Sequence, residues 1–144
     1  MKTRSDIAQI FLRLSLGIGF LLPVMDRFGW LGLPGQKGIS WGKWENFVGY
    51  TSVLLPYLNG TVVNFMGAAA TAAEIIFAIA LIIGFKTRLA SIGSFLLTLM
   101  FALSMFFFVG KTAPFSFSVF TVSSASLLLS CVPVYKWSID SSNP

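Results

Sequence analysis

A single acidic residue, Glu74, lies inside the apolar run GAAATAAEIIFAIALIIGF (67–85), which is long enough to cross a bilayer. A rise of 1.5 Å per residue would put Glu74 about 16 Å from the end of that run, close to the middle of a membrane. An ionisable group at this depth usually marks a functional site or a buried ion pair. A protonated, neutral side chain is a third interpretation, because burial disfavours the charged form.

Small residues share a helical face with Glu74. Gly67, Ala70, Thr71 and Ala78 are separated from one another and from Glu74 by steps typical of a helix. A stripe of small residues lets neighbouring helices approach closely. We therefore predict that Glu74 faces protein and not lipid.

Arg13 is the predicted partner of Glu74. The apolar run 14–25 that follows Arg13 has only about twelve residues and is too short to cross a bilayer alone, so the first helix should carry Arg13 into the membrane. A second placement stays open. The segment RLSLGIGFLL resembles RLASIGSFLL, which begins at Arg88 in a predicted turn, so Arg13 could also lie at the membrane surface.

Three more charged residues are candidate site residues; two lie at the opposite end of the first helix and one in a later turn. Asp26 and Arg27 close that helix, and Lys111 lies in the short turn before the last apolar segment. Ion pairs near water stabilise little, which favours anchoring and membrane topology over chemistry. The alternative is that these residues form the mouth of a site.

The composition predicts an all-α integral membrane protein. Hydrophobic residues make up 56% of the 144 residues and charged residues 10%, whereas soluble domains have about 25% charged residues. Continuous apolar segments indicate helices and not the alternating strands of a barrel. We predict one domain, 1–144, built as a bundle of four transmembrane helices at 7–25, 61–85, 89–109 and 115–134.

The predicted outer loop, 26–60, is rich in aromatic residues. Trp41, Trp44, Val48 and Thr51 recur at helical spacing, which suits a short helix lying at the membrane surface with its rings at headgroup level. An aromatic belt is the favoured interpretation. A lid over a site that opens to the outer face is the alternative.

Several function classes are excluded. The chain has no histidine and one cysteine, Cys131, so haem, zinc, other metal sites and a dithiol redox centre are not expected. The basic residues are scattered at segment ends, which argues against nucleic-acid binding and indicates membrane topology. Lys86 and Arg88, in the shortest predicted loop, favour cytoplasmic placement of both termini.

The sequence resembles the DoxX family of small bacterial membrane proteins. The matching segments are FLRLSLGIGFLL with Arg13, WGKWENFVGYTSVLLPYL, ATAAEIIFAIALIIGFKTRLA with Glu74, and GKTAPFSFSVF. This resemblance implies the bacterial inner membrane and an association with quinone-linked redox systems. It also implies a quinone or lipid pocket near Arg13, Glu74, Trp41, Trp44 and Lys111.

The leading functional interpretation is a quinone- or lipid-binding membrane subunit of a redox system, without a covalent cofactor or a redox centre of its own. Arg13, Asp26 and Glu74 are its principal candidate residues. Its expected partners are the bilayer and a membrane or periplasmic redox protein, and a homo-oligomer is compatible with its small size. A non-catalytic scaffold and a small-solute or proton-coupled transporter remain as alternatives.

Overall fold

The computed structural model describes residues 2–141, and within this range the chain is helical without any strand. Six α-helices follow one another: α1 Lys2–Arg27, α2 Trp44–Leu54, α3 Gly60–Ile83, α4 Thr87–Ser104, α5 Ala113–Ser116 and α6 Val119–Ser130. A π-helical turn, Met105–Val109, continues α4, and a 3-10 turn, Ile139–Ser141, ends the described chain. The prediction of an all-α protein is confirmed.

Within the described residues, three helical stretches are long and apolar enough to cross a membrane: Arg4–Arg27, Gly60–Ile83 and Thr87–Val109. Their outer faces carry large apolar side chains, among them Phe11, Phe65 and Met100, which are 73%, 70% and 62% exposed. A water-soluble protein rarely exposes apolar surface on this scale. The exposed faces therefore suit contact with lipid.

The predicted continuous helix 115–134 is wrong. The chain forms the single turn α5 and then α6, with Ser118 between them in the left-handed region at φ 55°. Pro133 lacks a backbone donor and restricts the residue before it, which explains why α6 ends at Ser130. The resulting twelve-residue helix is apolar but shorter than the three stretches above.

The helices pack mainly in two pairs, α1 with α3 and α4 with α6. Along α3 the buried positions recur every three or four residues, which is the pattern of one helical face. These positions are Val63, Gly67, Thr71, Glu74, Ala78 and Leu81. The central apolar cluster brings together Leu16 and Phe20 of α1, Leu81 of α3 and Leu129 of α6.

α1 and α3 run antiparallel and are offset along their axes. Arg13 lies beside Gly84, which follows α3, whereas Arg27 at the end of α1 contacts Glu74 in the middle of α3. The first turns of α3 therefore extend beyond α1. They are covered by α2, whose Phe47 contacts Gly67. We call this side of the bundle the loop end and the side holding Gly84 and residues 131–141 the terminal end.

Two glycines of α1 provide a test of this packing. A Cβ atom added at Gly17 would lie 2.6 Å from Ile82 Cγ1 and 3.1 Å from the Ala78 carbonyl oxygen, whereas one added at Gly19 meets no atom within 4 Å. Gly17→Ala should lower the free energy of unfolding by about 1–3 kcal/mol through overpacking. The control Gly19→Ala should leave it unchanged or raise it by about 0.5–1 kcal/mol. Denaturant titration in detergent measures both, and equal effects would contradict the α1–α3 contact.

Candidate functional site

The centre of the candidate site is a buried ion pair between Arg27 and Glu74. The two terminal nitrogens of the Arg27 guanidinium each contact a different oxygen of the Glu74 carboxylate: Nη1 contacts Oε2, and Nη2 donates to Oε1 at 3.1 Å. Arg27 is 3% exposed and Glu74 5%. Such two-point pairing is the strongest common form of a charge-assisted hydrogen bond. The prediction that Glu74 faces protein is confirmed.

Neighbouring side chains complete the environment of Arg27. Nη1 also donates to Thr71 Oγ1 at 2.8 Å, and the Thr71 hydroxyl in turn donates to the Gly67 carbonyl at 2.8 Å. The guanidinium carbon lies 3.9 Å from the centre of the Phe47 ring and 5.4 Å from that of Trp41. Aromatic rings attract a cation held over their faces. The positive charge is thus held by a carboxylate, a hydroxyl and two rings.

Asp26, the residue before Arg27, has a different function. Its carboxylate accepts backbone hydrogen bonds from Ser40, Trp41 and Gly42, at 2.9, 3.1 and 3.0 Å. Gly42 has φ +66° and lies so close to Pro34 that a Cβ atom would clash with the Pro34 nitrogen at 2.6 Å. Asp26 therefore fixes the returning loop against the end of α1, which places Trp41 beside Arg27.

The predicted Arg13–Glu74 pair is wrong. Arg13 is buried at the terminal end, where Nη2 donates to the Trp137 carbonyl at 2.8 Å and Nη1 approaches the Lys136 carbonyl at 3.4 Å. The Gln9 amide also donates to the Lys136 carbonyl, at 3.0 Å. Because α1 and α3 are antiparallel, Arg13 lies beyond the end of α3 and not beside its middle. Arg13 serves to hold the C-terminal segment.

Asp140 holds the same segment to α4. Its two carboxylate oxygens accept from the backbone nitrogens of Lys86 and Thr87, each at 2.7 Å. Desolvation would raise the pKa of Asp140, but hydrogen bonds from Thr87 and Lys86 and the charge of Arg13 outweigh it, so the pKa lies below its ordinary value. Asp140 acts as a helix cap supplied from a distant part of the chain.

An apolar cavity of about 80 Å³ adjoins the ion pair, between α2, α3 and α4. We call it the α2–α3–α4 cavity. Its lining residues are Phe47, Thr51, Leu54, Leu55, Met66, Gly67, Ala70, Leu97, Met100, Phe101 and Ser104. Phe47 belongs both to this lining and to the environment of Arg27. The same ring therefore contacts both the guanidinium and the apolar space.

The remaining predicted site residues divide into two groups. Trp41 contacts Arg27. The ring centre of Trp44 lies 5.3 Å from that of Phe47, and the indole nitrogen of Trp44 donates to Asn64 at 2.9 Å. Lys111 is exposed in the turn before α5 and does not line the α2–α3–α4 cavity. The structure thus gathers Asp26, Glu74 and the two tryptophans, and leaves Arg13 and Lys111 elsewhere.

Sequence reasoning missed the role of Arg27 as the partner of Glu74, and also the contributions of Thr71 and Phe47. One available signal was the helical spacing of Gly67, Thr71 and Glu74, which places the hydroxyl next to the carboxylate. Within residues 2–141, no group of three histidine, cysteine or acidic side chains could hold a metal ion. The site consists of a two-point ion pair and an adjacent apolar space.

Comparison with known protein families, characterised proteins and solved structures finds no match to this chain. The resemblance to DoxX proteins therefore stays a proposal. Because folds do not determine activities, the function of the protein depends on the chemistry of this site.

A double-mutant cycle tests the ion pair. Glu74→Gln leaves Arg27 buried without a counter-charge and should lower the free energy of unfolding by about 3–5 kcal/mol. The double variant Glu74→Gln/Arg27→Gln should lose less stability than the sum of the losses of the two single variants, by about 1 kcal/mol or more. The matched cycle of Arg13→Gln with Glu74→Gln should be additive within about 0.5 kcal/mol. Coupling of Glu74 with Arg13 and not with Arg27 would contradict the observed pairing.

Removing the carboxylate of Asp140 tests the cap on α4. Asp140→Ala leaves two backbone donors unpaired and should lower stability by about 0.5–2 kcal/mol, whereas Asp140→Asn should retain part of the cap. Because the folded pKa is lowered, the carboxylate stabilises the protein above the ordinary value of about 3.9, and this stabilisation is lost as the pH falls through the lower folded pKa.

Thermal unfolding in detergent between neutral and acidic pH measures this effect. Asp140→Ala should remove part of the acid dependence of the wild type. The control Glu45→Ala, at an exposed position of α2, should keep it. An unchanged acid dependence in Asp140→Ala would contradict the role of Asp140.

Proposed function

We propose that this chain is a membrane-embedded protein that binds a lipid-like molecule, with a quinone as the favoured ligand. The ligand's hydrocarbon tail would occupy the α2–α3–α4 cavity, and its polar head would approach Arg27. The observation that carries the proposal is the position of Phe47, which contacts the cavity on one side and the guanidinium on the other.

The character of the α2–α3–α4 cavity supports a hydrocarbon occupant. Leu54, Leu97 and Met100 line it, and the Thr51 hydroxyl donates to the Phe47 carbonyl and is thus engaged. Apolar cavities on the order of 100 Å³ stay dry and take up hydrocarbon. Methionine adds an adaptable wall that tolerates ligands of different shape. A short stretch of an isoprenoid tail or acyl chain fits these properties.

The ion pair supports a polar head with carbonyl oxygens. Arg27 Nε is buried and has no hydrogen-bond partner among residues 2–141. A guanidinium can only donate hydrogen bonds, so this unused donor suits an acceptor such as a quinone carbonyl. A headgroup would reach it by displacing the Phe47 ring. Glu74 would meanwhile keep the guanidinium oriented.

The proposal makes the protein a subunit of a redox system and not a complete enzyme. The sequence offers no histidine and a single cysteine, so the proposal assigns the electrons to a partner protein. The DoxX resemblance supports this role. We further propose the bacterial inner membrane with both termini cytoplasmic, a four-helix bundle completed by α6, and Trp41 and Trp44 close to headgroup level.

A second candidate function, a membrane scaffold without a ligand, is supported by the full engagement of the two buried carboxylates. Both oxygens of Glu74 are bound by Arg27, and Asp26 binds three backbone donors. Groups so fully engaged can serve the fold alone.

Filling the cavity separates the two functions. Ala70 lines the cavity, whereas Ala69 points outward on the same helix, so Ala70→Leu and Ala69→Leu form a matched pair. Saturable quenching of tryptophan fluorescence by a quinone with an alkyl tail should weaken about tenfold or more in Ala70→Leu, which equals about 1.4 kcal/mol. It should stay unchanged in Ala69→Leu.

A quinone without a tail should bind the wild type more weakly than the tailed quinone, because it leaves the cavity empty. Equal quenching of the wild type and both variants would mean that the quinone only dissolves in the surrounding lipid or detergent. That result would contradict the proposed function and favour the scaffold.

A further inference from the structure

The terminal end carries a second, larger cavity that the proposed function does not use. It has a volume of about 640 Å³ and lies between the start of α4 and the C-terminal segment. We call it the basic cleft. Its lining residues are Lys86, Thr87, Arg88, Leu89, Pro133, Val134, Tyr135, Lys136, Asp140 and Ser141.

The charge of the basic cleft is positive. Lys86, Arg88 and Lys136 are all exposed, and within the part of the chain that the structure describes none of them forms a salt bridge. Asp140 is the acidic residue of the lining, but both its oxygens are bound to the backbone nitrogens of Lys86 and Thr87. Three exposed cationic groups thus line the cleft together with one carboxylate that already caps a helix.

Apolar side chains border these cations. Leu89 and Val134 are 61% and 55% exposed, and Trp137, next to Lys136, is 84% exposed. Exposed tryptophan beside basic residues is typical of the boundary between membrane and water. Leu89 begins the outward face of a helix long enough to cross a membrane. The basic cleft therefore combines cationic groups with a wall suited to acyl chains.

The backbone around the basic cleft is held in place from several sides. Arg13 and Gln9 bind the carbonyls of Lys136 and Trp137. Lys86 and Trp137 adopt left-handed backbone conformations, with φ 44° and 52°. Residues other than glycine rarely adopt this conformation without support from their surroundings. The cationic residues therefore project from a fixed frame and not from a loose tail.

We propose that the basic cleft binds the phosphodiester headgroup of an anionic phospholipid, with the acyl chains against Leu89 and Val134. Arg88 offers a planar set of donors to phosphate oxygens, and Lys86 and Lys136 add positive charge. Basic pockets at the ends of transmembrane helices bind anionic headgroups in this way. This inference is independent of the quinone proposal, because it concerns the opposite end of the bundle.

Two triple variants with the same change in charge test the inference. Lys86→Gln/Arg88→Gln/Lys136→Gln removes the cations of the basic cleft, whereas Lys37→Gln/Lys43→Gln/Lys111→Gln removes three exposed cations elsewhere. Native mass spectrometry of the detergent-solubilised chain, titrated with phosphatidylglycerol or phosphatidylcholine, reports bound lipid directly. Thermal unfolding in the same mixtures confirms that each variant is folded.

The wild type and the control variant should retain phosphatidylglycerol in preference to phosphatidylcholine. The variant of the basic cleft should bind phosphatidylglycerol at least about tenfold more weakly than the wild type, because the headgroup attraction is electrostatic. Equal weakening in both variants would show attraction to net charge alone and overturn the proposal. Displacement of the lipid by millimolar inorganic phosphate would overturn it too, since the site would then take free phosphate.

If the variant of the basic cleft does not fold, the single variant Arg88→Lys provides the test. This change keeps the charge but loses the planar donors, so it should still weaken binding of phosphatidylglycerol. Unchanged binding would contradict the proposal.

Discussion

A guanidinium and a carboxylate that are both removed from water must satisfy each other, and the Arg27–Glu74 pair imposes this requirement on the loop end of the molecule. Arg27 is the last residue of α1, yet it contacts the middle of α3. The chain that follows Arg27 therefore begins inside the bundle and has to turn at once. The loop 28–43 returns over the end of α1, and α2 then brings Phe47 onto the guanidinium. The helix offset and the position of α2 thus both fit the needs of this ion pair, while Asp26 holds the returning loop.

Asp26 and Arg27 are adjacent and oppositely charged, but they do not pair with each other. Asp26 binds backbone donors of the loop, and Arg27 binds a side chain of α3. Each charge thus connects the end of α1 to a different element. Movement of the loop would shift Trp41, which lies beside the guanidinium of Arg27. The polar cluster and the apolar cavity meet at Phe47, which contacts the guanidinium and lines the cavity.

The sequence contained enough information for the helical class and for the inward direction of Glu74, because the small residues around it repeat at helical spacing. It did not reveal the partner of Glu74. The prediction of Arg13 assumed that the end of an apolar segment lies near water, which assigned Arg27 to the surface. That assumption fails when a loop folds back and covers a helix end, a tertiary effect that local spacing does not encode. The broken fourth segment has a similar cause. Pro133 marks its end in the sequence, but the left-handed conformation at position 118 belongs to a serine and not to glycine or asparagine, which would have indicated it.

The two buried arginines show how the same side chain gives the two ends of the bundle different electrostatic properties. Arg27 is neutralised by Glu74, so this arginine adds no net positive charge to the loop end. Arg13 donates from its two Nη atoms to carbonyl oxygens, which do not cancel its charge. Its positive charge therefore adds to that of Lys86, Arg88 and Lys136 at the terminal end, against Asp140. The terminal end consequently carries a lasting positive field beside exposed apolar surface, and a membrane with anionic headgroups supplies both the counter-charge and the hydrocarbon that this arrangement leaves unmatched.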